Sequence, residues 1–83
     1  MKVKRIDLDD DEVPASVTVE LTHDEAVYLA VLTGKQNAVS AEEVLRGGAV
    51  HNGAVYECLS GGLFNRFYED GVDGAAAVAH GRG

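Results

Sequence analysis

Between Ser16 and Leu21 the chain alternates strictly, with Val17, Val19 and Leu21 on one side and Ser16, Thr18 and Glu20 on the other. A period of two with β-branched residues predicts a half-buried strand. An earlier stretch, Lys2 to Ile6, mixes Val3 and Ile6 with basic residues and reads as a short edge strand, where lysines discourage edge-to-edge aggregation. After Leu21 the period changes. Thr22-His23-Asp24-Glu25 fits a capping box, and Ala26, Leu29, Ala30 and Thr33 follow at helical spacing, widened by Val27 and Val31. Gly34 is expected to stop this helix in the left-handed conformation. Ser40-Ala41-Glu42-Glu43 reads as a second capping box, opening a short helix cut off by Gly47-Gly48.

A third helix is expected from Gly53 to about Glu69, capped by Asn52. Its face runs through Val55, Leu59, Gly62/Leu63 and Phe67. Gly61-Gly62 either breaks it or serves a close approach to another segment. Each glycine costs roughly 1 kcal/mol against alanine, which the burial of nearby aromatics can offset. Asp70-Gly71 ends the helix. The Ala/Gly-rich remainder reads as a helical turn or two, disordered or held by a partner. The expected organisation is a basic strand and acidic loop (residues 1–15), a strand-helix-helix core (16–70) and a tail (71–83), all within one domain. The fold class is α+β: a small antiparallel sheet of N-terminal strands packed by two main helices and one short helix. Two strands make a poor sheet alone, and a chain of 83 residues has a thin core. Both points lead to the expectation of a homo-oligomer.

Composition narrows the function. The net charge of −7 disfavours direct nucleic-acid binding and anionic membranes, which call for clustered Lys and Arg. No apolar run is long enough for a membrane span, and no signal peptide is visible, so a cytoplasmic location is expected. Cys58 is the only cysteine, which excludes an intrachain disulfide and a cysteine-rich zinc site. In the acidic run that starts at Asp7, the residues Asp9, Asp10, Asp11 and Glu12 lack the spacing and the turn glycine of a calcium loop. They read as a solvated acidic surface that suits a basic partner. Cys58 is expected to be a buried small hydrophobe, and with His51 it makes a poor nucleophile pair. The glycines around Gly47-Gly48 and Asn52-Gly53 precede a helix and can cradle an anion, but no P-loop lysine accompanies them. No cofactor or metal is expected, and an enzyme is the least favoured class.

Few basic residues remain in so acidic a chain. Lys35, Arg46 and Arg66 are therefore candidate anion sites. Arg66 lies between Asn65 and Phe67-Tyr68, a mix of hydrogen-bonding and stacking groups that suits a nucleotide or an interface. The candidate ligand residues are Arg66, Asn65, Tyr68, Lys35 and Arg46.

Two stretches carry a resemblance: Val17-Thr18-Val19-Glu20-Leu21-Thr22-His23-Asp24-Glu25-Ala26 and Asn65-Arg66-Phe67-Tyr68-Glu69-Asp70-Gly71-Val72-Asp73. A strand, a "Leu-Thr-x-x-Glu-Ala" cap, a helix, and an aromatic helix closing on "Asp-Gly-Val-Asp" resemble small accessory proteins of phages infecting actinobacteria. More distantly the chain is similar to the Thoeris anti-defence sponges, whose oligomers sequester a host cyclic nucleotide without cleaving it. The resemblance implies non-catalytic binding of a nucleotide-like immune signal. It extends to the class of function and assigns no ligand residue. The alternatives are an acidic inhibitor covering a basic surface of a host enzyme, through Asp7 and Asp9 to Glu12, and a virion or assembly component.

Overall fold

The computed structural model describes residues 1–82; Gly83, the last residue of the expected tail, lies outside the described residues. Two strands, β1 (Lys2–Leu8) and β2 (Pro14–Glu20), form an antiparallel hairpin. Three helices follow: α1 (His23–Gly34), α2 (Ala38–Val44) and α3 (Gly48–Leu59). Helix α3 continues through a π-helical stretch, Ser60–Phe64, and one α-helical turn, Asn65–Phe67. Helix α4 (Val72–Arg82) completes the chain. The architecture is a small α+β fold with a two-stranded antiparallel sheet.

The hairpin is amphipathic, although its apolar residues are unevenly spaced. Val3 and Ile6 are three apart, which would put them on opposite sides of a regular strand. A register shift between Val3 and Arg5 absorbs the extra residue, so that Val3 pairs with Val19 and Ile6 with Val17. Leu8 opposite Pro14 extends the same apolar face. Lys2, Arg5, Asp7, Ser16, Thr18 and Glu20 take the other face. Asp9 builds the turn, its carboxylate accepting from the backbone N–H of Asp11 (2.9 Å) and Val13 (3.1 Å). Glu12 takes the left-handed conformation there, with φ 62°. The expected solvated loop from Asp7 to Glu12 is therefore shorter, since Asp7 and Leu8 belong to β1. The expected division at residue 15 falls inside β2.

The expectation of one buried sheet face is not met. Every residue of β2 is exposed, and in β1 only Asp7 is partly covered. The hairpin joins the helices through Leu21, which packs on their core, and through the N-terminal ammonium on Glu25.

Thr22 caps α1 as the sequence predicts. Its hydroxyl accepts from the Glu25 N–H (3.1 Å), and the Glu25 carboxylate accepts from the Thr22 N–H (2.9 Å). Gly34 is the last residue of α1 but is not left-handed. Its role is proximity: a Cβ at Gly34 would stand 3.3 Å from the Tyr56 ring. Helix α2 starts earlier than expected, because Asn37 rather than Ser40 is its cap. Asn37 and Ser40 close the capping box between them, at 2.8 and 3.0 Å. Helix α3 also starts earlier, at Gly48 rather than Gly53, because left-handed Gly47 (φ 84°) turns the chain directly into it.

Gly61-Gly62 does not break the long helix, nor does it serve a close approach. Both are exposed, and a Cβ on either would meet nothing within 4 Å. The helix instead widens into the π turn. One extra residue per turn shifts the helical phase, so Phe64 rather than Phe67 points inward. Phe64 is 1% exposed and Phe67 is 72% exposed.

The core is small-residue packing around that one aromatic: Ala26, Val27, Ala30, Phe64 and Ala75, flanked by Leu21, Leu59, Leu63 and Val72 among others. Ala30 and Ala75 are fully buried, which brings α1 and α4 close together. The Ala-rich tail, expected to be loose or held by a partner, is thus an integral helix on α1. Its alanines are the small surface that a close helix pair needs.

Candidate functional site

Helices α1, α2 and α3 surround an open apolar slot of about 330 Å³. Leu32 from α1, Val44 and Leu45 from the end of α2, and Val55 from α3 wall it, over a floor of Ala41 and Gly48. Its geometry depends on Gly48. A side chain there would run into the Ala41 carbonyl, so only glycine lets α2 and α3 approach this closely. Gln36, His51 and Asn52 supply the polar groups of the slot. Asn52 is held in place, its Nδ2 donating to the Thr33 carbonyl at 2.9 Å across to α1. Its Oδ1 makes no hydrogen bond among the described residues.

The glycine-rich start of α3, a candidate anion cradle, contains an anion of the protein's own. The Glu42 carboxylate accepts from the N–H of Ala49 (2.8 Å) and of Gly47 (3.2 Å). Those two backbone bonds, Ala49 first, hold its carboxyl below the usual carboxylate range, with His51 adding a favourable charge. A phosphate at this helix end would compete with a tethered carboxylate.

The five candidate ligand residues do not form one site. Asn65 and Arg66 are exposed on the last turn of the long helix. Tyr68 lies beyond that turn, half-buried, its hydroxyl bonded to His23 Nε2 at 2.6 Å. Lys35 is exposed and lines a second cavity, of about 210 Å³, with Tyr56 and Asp73. Arg46 is exposed in the turn between α2 and α3. Lys35 and Arg46 are nevertheless sequence neighbours of slot residues: Lys35 precedes Gln36, and Arg46 follows Leu45. Of the acidic set, Asp9 is spent on the turn and Asp7 pairs with Arg5 at 2.8 Å. Asp10, Asp11 and Glu12 form no ion pair among the described residues and stand at the hairpin tip.

His23 has a role its sequence position gave no sign of. It joins Asp24 (2.8 Å) to Tyr68 and sets its ring edge-on against Phe64, with centroids 5.8 Å apart. This clamp ties the start of α1 to the connector before α4. Cys58 is exposed, not buried, because its position on α3 faces away from the core. Among the described residues no group of three or more His, Cys, Asp or Glu is placed to hold a metal ion. None of their helices is long and apolar enough to cross a membrane.

The slot itself was missed in the sequence. Its signal was an excess of apolar residues outside the core stripe: Leu32 on the far side of α1, and Val44-Leu45 just before the glycines. Compared with known protein families, curated proteins and solved structures, the chain matches none.

Proposed function

We propose that the protein is a non-catalytic binding protein that takes up a nucleotide-like small molecule, with the heteroaromatic base in the slot between α1, α2 and α3. One observation carries this reading: a preformed apolar cavity of about 330 Å³ with a few polar groups, Gln36, His51 and Asn52. That combination, apolar walls with a few hydrogen-bonding groups, is what holds a small heteroaromatic ligand and fixes its orientation. Arg46, which directly follows the slot residue Leu45, is the cation for a phosphate in this reading, whereas Lys35 lines the second cavity. Arg66, Asn65 and Tyr68 drop out of the ligand set. In the phage counter-defence setting that the resemblance implies, the ligand is a host cyclic nucleotide signal, bound and withheld rather than cleaved, in the host cytoplasm.

The test is a thermal-shift and calorimetry panel with 3′,5′-cyclic mononucleotides and cyclic dinucleotides. At a ligand concentration of 100 Kd the fold gains about 2.7 kcal/mol. Val55→Trp, which fills the slot, should abolish the shift, and Arg66→Ala should leave it intact. Loss of the shift in Arg66→Ala but not in Val55→Trp moves the site to the end of the long helix. No shift with any of the panel ends the nucleotide reading.

A second reading rests on the hairpin tip. Asp10, Asp11 and Glu12, free of ion pairs among the described residues, project from the body on a hairpin, where they can reach a basic patch on a host enzyme. The checking measurement is salt-sensitive co-purification with such an enzyme, abolished by Asp10→Asn, Asp11→Asn and Glu12→Gln together. The assembly-component alternative drew on a tail awaiting a partner, and that support is gone with α4 packed on α1.

A further inference from the structure

We propose that the apolar face of the β-hairpin is the seat of a second copy of this chain. The two hairpins pack face to face and point in opposite directions. Val3, Ile6, Leu8, Val17 and Val19 share this face and are all between 42% and 58% exposed. Their exposed parts amount to roughly 500 Å² of surface per copy, within the range of about 300–600 Å² for the largest apolar patch of a monomer, and patches of that size are often functional. Ordinary stable interfaces take about 800 Å² from each partner, so this face supplies most of one and the flanking polar atoms the rest.

The occupant follows from the patch and its charges. A two-stranded hairpin with both faces wet is marginal in water, and the nearest remedy is a second layer about 10 Å away. A second copy brings an identical apolar face, self-complementary about a two-fold axis between Ile6 and Val17. Edge-to-edge pairing is the poorer solution, because through either strand it would leave the apolar face in solvent, and the irregular register near Lys4 and the basic residues of β1 blunt the β1 edge as well.

Charge chooses the direction. Asp9, Asp10, Asp11 and Glu12 gather at the tip, while Lys2 and the Lys4–Glu20 ion pair lie towards the base, up to about 20 Å away along a seven-residue strand. Parallel stacking would crowd both acidic tips together. Opposed stacking separates them and sets each tip towards the other copy's Lys2, which has no ion pair among the described residues.

Sedimentation equilibrium at micromolar concentrations, with Val17→Asp as the variant, tests the surface. The native chain should be a dimer, and Val17→Asp a monomer whose far-UV spectrum keeps the helical signal. Cysteine pairing, in a Cys58→Ser background so that the native thiol does not interfere, tests the direction. A Val3→Cys copy mixed with a Leu8→Cys copy should form a mixed disulfide under mild oxidation, and Leu8→Cys alone should stay reduced. A native monomer overturns the proposal. So does a dimer that survives Val17→Asp but is lost in Leu45→Asp, which would put the second copy on the helical slot. Ready oxidation of Leu8→Cys with itself would overturn the opposed arrangement.

Discussion

The two halves of this chain differ in whether they close a core: the helical body buries one while leaving Val39 (70%), Val44 (79%) and Val50 (75%) exposed on its surface, and the hairpin buries none of its apolar residues. In the helical body, small residues disappear completely: Ala30 and Ala75 are 0% exposed, and a single large side chain, Phe64, fills what they leave. In the hairpin, larger and more β-branched residues stay in solvent, and Val17 is 53% exposed. Intrinsic hydrophobicity therefore does not decide burial here. What decides it is whether the chain supplies an opposing layer. The body has α1, α4 and the long helix to cover one another. The hairpin has only its own thickness, so its apolar face is left for another molecule. Function is expected at the surfaces the body cannot close: the slot beside α2 and the face of the hairpin.

The comparison breaks most visibly at Phe64. Phe64→Ala removes the only large, fully buried side chain among the described residues and should cost about 3–5 kcal/mol, most of the stability of so small a domain. Ile6→Ala, in the hairpin of a dilute monomer, should cost under about 1 kcal/mol, as surface changes do. Urea unfolding followed by far-UV circular dichroism measures both. Near-equal losses would mean that the hairpin shares the body's core.

Gly48→Ala is expected to come next. Its new methyl collides with the Ala41 carbonyl, a backbone atom, so α2 must move off α3 at a cost of about 1–3 kcal/mol. Slot binding should fall with it, while hairpin-dependent dimerisation stays. Calorimetry and sedimentation on the one variant separate the two regions.

Thr22→Ala opens the capping box where the hairpin meets the body and should cost about 1 kcal/mol in the same urea titration. The smallest effect concerns acid. The N-terminal ammonium and the Thr22 N–H hold the Glu25 carboxyl down to about 2, from an ordinary value of 4.5. A depressed carboxyl stabilises the fold above its unfolded pKa and loses that contribution as pH falls through the folded one. Thermal stability should therefore decline between about pH 4.5 and pH 2, and Glu25→Gln should flatten that limb. Because Glu25 is exposed, added salt should shrink the difference between the two proteins.

The local rules were legible where one residue type has one use. Thr22 and Glu25 declared the cap of α1, and the alternation from Ser16 to Leu21 declared β2. The sequence was silent where the outcome depended on distant partners. Asn37 outcompeted Ser40 for the α2 cap, since both can accept at a helix start. Gly34 looked like a left-handed stop, but a ring from α3 fixed its role. The π turn after Leu59 moved Phe64 into the core, a phase change that no fixed helical period represents. The alanine tail read as weak because alanines bury little area apiece, yet small size is what lets α4 seat closely on α1. For the candidate site, the basic residues could be counted in sequence, but the slot between three helices is a property of their packing alone.

Hydrogen exchange of the native protein at a series of concentrations tests the contrast between hairpin and body most directly. Amides of α1 and α4 should be protected at every concentration. Amides of β1 and β2 should exchange fast when dilute and gain protection as concentration rises through the dimerisation range. Hairpin amides as slow as those of α1 in the dilute monomer would contradict that contrast.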